Sequence, residues 1–139
     1  MRGMLMTFDT FFSIFIFISL VYLLGSVWNS LIPELDRQEE DLLQLRTQQT
    51  LAHIINLVKR GPRLNEAKLS DFVDQTNDNY TELKNSLGLE DSDFKFLVKD
   101  MDNIILYQTN TTPSGALIVT STRYSSLNKP VKLELWVWK

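Results

Sequence analysis

Few residues in this chain are of a type that does chemistry. His53 is the single histidine. Alone in a stretch of helix-forming residues, it reads as a surface or packed side chain rather than a metal ligand or proton shuttle. The stretch "DQTNDNYTE" (74–82) is oxygen-rich, as calcium loops are. It lacks the central glycine and the correctly spaced closing glutamate, and it follows a helical apolar pattern, so it reads as a solvated helix face. Glu39, Glu40 and Asp41 read the same way. No HExxH, P-loop, GxGxxG or GxSxG pattern occurs. The chain has no cysteine, which removes disulfides, cysteine-ligated zinc and thiol catalysis. The expectation is a protein that is not an enzyme and needs no cofactor or metal.

Three other features invite a functional reading. Asp9 is an acidic residue at the head of an uncharged apolar run. Two Asn-x-Thr triplets, at Asn79 and Asn110, are acceptor sequences for N-glycosylation. Asn110 falls in an expected exposed turn and Asn79 on an expected helix. Trp136 and Trp138 lie on the polar-looking face of the last expected strand, where they either anchor an interface or sit under another element.

These residues are positioned by elements legible in the apolar pattern. The 139 residues carry a net charge of -3, and no basic stripe points to a nucleic-acid partner. From Thr10 to Pro33 no residue is charged. About 20 residues of helix, rising about 1.5 Å each, cross the hydrocarbon of a bilayer. Residues 10–32 therefore read as a transmembrane helix, with Tyr22 and Trp28 toward its far end, where such rings favour the interface. A cleaved secretory signal is disfavoured by the length of the run and by the lack of a small-x-small site after it. Arg2 precedes the run and the acidic "PELDRQEEDLL" follows it, so the N-terminus is expected inside and the remainder outside.

Residues 33–60 read as an amphipathic extension of the same helix, stopped by Gly61-Pro62. Leu35, Leu42, Leu45, Ala52, Ile55 and Val58 form its expected stripe, widened by Leu51 and Ile54. Acidic residues crowd its start, and Lys59 and Arg60 end it, which suits the helix dipole. A second helix is expected over 65–87, capped by Asn65 and ended by Gly88. The period then changes to two. "DFKFLVKD", "NIILYQT", "ALIVTSTRY" and "VKLELWVWK" read as four strands of an antiparallel meander. In the last, Val131, Leu133, Leu135 and Val137 share a face that needs a partner, and the long helix is the natural one. The fold class is thus α+β, with residues 1–9 as a leader segment and 61–139 as helix plus sheet.

This order resembles the type IV pilin superfamily, and in detail the pilin-like proteins of archaea that carry class III signal peptides. "RGMLMTFD" supplies Arg2, Gly3, Thr7 and Asp9 in the order of the family's basic leader, glycine, small polar residue and acidic residue. The end "TSTRYSSLNKPVKLELWVWK" is similar to the family's closing hairpin. The resemblance implies leader processing around Gly3, Met4 and Leu5. A cut after Gly3 makes Asp9 the sixth residue, and one after Met4 makes it the fifth, the family's usual spacing.

What the resemblance implies is a membrane-anchored structural subunit, minor or accessory, of an extracellular pilus-like filament. Its partners would be the membrane, other pilin subunits, a prepilin peptidase and the assembly machinery. Asp9 would pair with a neighbouring subunit's amino terminus and help set the axial register. The competing role for Asp9 is simpler, a carboxylate at the headgroup level beside the positive end of its own helix. The competing function is a single-pass membrane protein whose outer domain binds a ligand or a protein.

Overall fold

The computed structural model describes the backbone of residues 2–139 and the side chains of residues 10–139. It is an α+β chain with two compact units, residues 1–39 and 40–139. Helix α1, Arg2–Val58, is continuous over 57 residues and contains Pro33. Among the described residues of the first unit it is the only element.

The second unit has a core of its own. Leu43, Leu51, Ile54, Ile55 and Val58 of α1 are buried, with Thr47 and Thr50 on the same face. The Thr47 hydroxyl donates to the Leu43 carbonyl at 2.7 Å, so its polar atom is satisfied inside the helix. This buried face departs from the expected stripe. Leu35, Leu42 and Leu45 are more than half exposed, and the seam runs through Leu43 and Thr47 instead. Polarity alone could not find it, because two of its positions are threonines.

α1 also ends earlier than expected. Its last two expected residues form a short hairpin, β1 (Lys59–Arg60) against β2 (Arg63–Leu64), around Gly61-Pro62. Gly61 turns the chain with φ 69°, a left-handed conformation that costs glycine little. Asn65 then caps α2 (Glu66–Asp78), its Oδ1 accepting from the Lys68 N–H at 3.0 Å. The single helix expected over 65–87 is two. Asn79, at φ -127° and ψ 47°, closes α2 and opens α3 (Tyr80–Ser86). Its N–H bonds Gln75 and its carbonyl receives Leu83, so little hydrogen bonding is lost at the break. After α3, Gly88 at φ 73° and Leu89 donate to the carbonyls of Asn85 and Lys84, a paired closure typical of a glycine-ended helix.

Four strands follow: β3 (Asp93–Asp100), β4 (Ile105–Gln108), β5 (Ile118–Ser126) and β6 (Pro130–Trp138). All pair antiparallel, but their order is β4-β3-β6-β5, not the sequential order of a meander. Two hairpins join through their first and last strands. The physical reason lies in the side chains. β3 and β6 are buried along most of their length, while β4 is short and β5 is rich in Ser and Thr, so the apolar pair takes the centre.

The inner face of the sheet carries Phe94, Phe96, Val98, Val131, Leu133, Leu135 and Val137, all fully buried in one cluster with α1, α2 and β2. Phe72 of α2 meets Phe96 edge-on at 5.6 Å, and Tyr80 of α3 stacks on Phe94 at 5.3 Å. The Tyr80 hydroxyl also accepts from the Phe94 N–H at 2.8 Å. Burial pushes the Tyr80 phenol up to about 12.

Candidate functional site: an uncovered apolar helix segment

α1 is long and apolar enough to cross a membrane, and none of that apolar stretch is buried within the chain. From Thr10 to Leu42 no side chain is buried. Phe11, Phe17 and Trp28 are each two-thirds or more exposed. Exposed apolar surface of this extent marks a region covered by lipid or by another chain. The polar atoms within the run are suited to such a medium. The Ser19 hydroxyl donates to the Phe15 carbonyl at 2.8 Å, and the Ser30 hydroxyl to Val27 at 2.9 Å. Gly3, Met4, Leu5 and Asp9, the expected processing and assembly residues, lie outside the residues whose side chains are described.

The sheet face opposite the core cluster holds a buried acid, Glu134. The Glu134 carboxylate accepts from Lys132 at 2.7 Å, from Lys99 at 2.8 Å and from the Trp136 indole at 3.3 Å. β3 and β6 place Leu97 opposite Glu134 and Lys99 opposite Lys132, which brings both ammonium groups to one carboxylate. Burial pushes the Glu134 carboxyl up. The hydrogen bonds from Lys132, Lys99 and Trp136 together outweigh it and hold the carboxyl below its ordinary value. Lys132 is raised in turn by its bond to Glu134.

This arrangement divides the two tryptophans. Trp138 is 3% exposed. The loop before β5 approaches it so closely that a Cβ on Gly115 would collide with the Lys139 carbonyl and sit 3.3 Å from the Trp138 ring. Trp136 stays half-buried. The acid-and-lysine cluster was not singled out in the sequence, although Lys132 and Glu134 alternate onto one face. The cross-strand partner, Lys99, depends on the β3–β6 pairing.

The remaining candidates are dispersed. His53 lines an open groove of about 570 Å³ with Arg46, Gln49, Glu90 and Asp91. No three acidic or histidine side chains among the described residues converge as a metal site. The stretch 74–82 straddles the break at Asn79, and Glu39, Glu40 and Asp41 are exposed. Asn79 and Asn110 are both exposed. A second buried carboxylate, Asp100, shapes the β3–β4 turn. It accepts from the Ile104 and Asp102 N–H groups and from Lys129, bonds that hold its carboxyl below its ordinary value.

No protein-family model, no curated protein and no solved structure matches this chain.

Proposed function

We propose that this chain is a pilin-like structural subunit, minor or accessory, of an extracellular filament, held in the membrane by its N-terminal helix before assembly. The observation that carries the reading is the division of α1. Residues 10–32 expose apolar side chains all round, while Leu43–Val58 of the same helix anchor a folded antiparallel sheet. A helix apolar on every side needs surroundings that are apolar on every side, which lipid and a bundle of like helices both supply. Asp9 then acts at the mouth of the run, where pairing with a neighbouring amino terminus offsets the cost of taking a carboxylate out of water.

The test is made in the native cells. Processing near Gly3 or Met4, read by mass spectrometry of the mature N-terminus, is expected. Asp9→Ala is expected to leave the protein in the membrane and to abolish its incorporation into filaments seen by electron microscopy. Normal incorporation of the Asp9→Ala chain would remove the assigned role of Asp9. An intact Met1, with all protein retained in the membrane, would favour a single-pass receptor or binding protein instead.

A further inference from the structure

Asn79 and Asn110 are distant in sequence, but a contact two residues before Asn79 ties their segments together in the second unit, residues 40–139, the head. The Asn77 side chain accepts from the Asn110 N–H at 2.8 Å, which pins the loop after β4 to the end of α2, two residues before Asn79. The loop is fixed from its other side as well. Thr109 Oγ1 accepts from the Phe96 N–H at 3.0 Å, and the Thr111 hydroxyl donates to the Phe94 carbonyl at 2.6 Å. The loop is therefore ordered, while Asn79, Thr81, Asn110 and Thr112 are all exposed.

Other asparagines here have structural tasks, and none of those lies in an acceptor triplet. Asn65 caps α2, Asn77 holds the loop, and Asn103 takes the left-handed turn at φ 63°. Asn79 differs. It stands at a helix break, where its backbone supplies the bonds and its side chain makes no capping hydrogen bond to α3. Asn110 likewise is anchored through its backbone N–H. The break takes Asn79 itself out of helical geometry, while Tyr80 and Thr81 open α3.

We infer that Asn79 and Asn110 are a paired N-glycosylation site, modified by an oligosaccharyltransferase from a lipid-linked oligosaccharide phosphate. In each transfer the carboxamide nitrogen forms a bond to the anomeric carbon of the first sugar and loses one proton, and the lipid phosphate leaves. The threonine hydroxyl at the second following position, Thr81 or Thr112, is the group the transferase reads. Two glycans on these tied segments keep the α2–α3 break open to solvent, so the surface that meets other subunits excludes it. The inference rests on the head lying outside the membrane.

The experiment is glycopeptide and intact-mass analysis of the full chain from its native cells, with cell-surface labelling of intact cells alongside. The wild type is expected to carry two glycan increments. Asn79→Gln and Asn110→Gln are each expected to lose one, and the double variant to show the polypeptide mass. Thr81→Ala and Thr112→Ala are expected to lose the same increments while keeping each asparagine, which guards against a variant that fails to fold. Surface-labelled wild-type protein with either site unmodified overturns the paired site and leaves the filament reading standing. A head that is not labelled from outside overturns both.

Discussion

Two stretches of one helix carry opposite patterns. Over Leu43–Val58, α1 buries one face against the sheet and leaves a mostly polar remainder, with Leu45 and Leu57 exposed on it. Over residues 10–32 it has no polar face and buries nothing. The backbone is helical in both, so helicity does not distinguish them. What distinguishes them is the surroundings each requires. The C-terminal stretch is completed by residues further along its own chain. None of the described side chains of the N-terminal stretch is buried within the chain, and lipid or other apolar helices are the surroundings that suit it.

The largest expected effect comes from separating the two. A fragment of residues 40–139 should remain soluble without detergent and unfold cooperatively, whereas the full chain should partition into membranes or detergent. Insoluble or non-cooperative behaviour of the fragment, followed by circular dichroism on heating, would show that the head depends on the apolar segment. Next in size are core truncations. Phe96→Ala in the head should cost about 3–5 kcal/mol and Leu51→Ala about 2–5 kcal/mol in denaturant unfolding. Phe17→Ala, a similar change in the uncovered segment, should leave head stability unchanged within about 0.5 kcal/mol. Equal losses at Phe17 and Phe96 would erase the contrast between the halves.

The outer face of the sheet should respond more mildly. Glu134→Gln leaves two lysines facing a neutral amide, and a loss of about 1–3 kcal/mol at neutral pH is expected. The acid limb should change with it. Glu134 and Asp100 both have carboxyls held below their ordinary values when folded. Their stabilisation is therefore full above about pH 5, beyond the ordinary carboxylate values, and is lost as pH falls through the lowered folded values. Unfolding midpoints measured from pH 7 to pH 2 should fall less steeply for Glu134→Gln than for the wild type. An unchanged slope would place the acid sensitivity elsewhere. The smallest effect is expected at the α2 cap, where Asn65→Ala should cost about 1 kcal/mol.

The sequence was informative about elements and less so about their arrangement. β3 occupies the expected 93–100, and the apolar set of β6 is the one read from alternation. Asn65 caps its helix as its position before a helical pattern suggests. Local chemistry decides such features, and local chemistry is what a sequence displays. The helix break at Asn79 was hidden, because Leu69, Phe72, Val73, Tyr80 and Leu83 keep a helical spacing across it. The seam of α1 was misplaced by one residue in its first turns, since Leu42 and Leu43 are equally apolar and only packing tells them apart. Of the features weighed as sites, the burial of Trp138 was among the least legible. It depends on Gly115 approaching from a separate loop.

By itself the sequence determined that residues 10–32 form an uncharged helix long enough to span a bilayer. It also determined that the chain changes from helical to alternating period after Gly88. Both follow from side-chain polarity repeating along one segment. Only the tertiary structure decided that β3 pairs with β6, that Lys99 and Lys132 share one carboxylate, and that the Asn110 N–H bonds the Asn77 side chain. Each of these joins residues remote in the chain, and their contact follows from which strands are apolar enough to take the centre of the sheet.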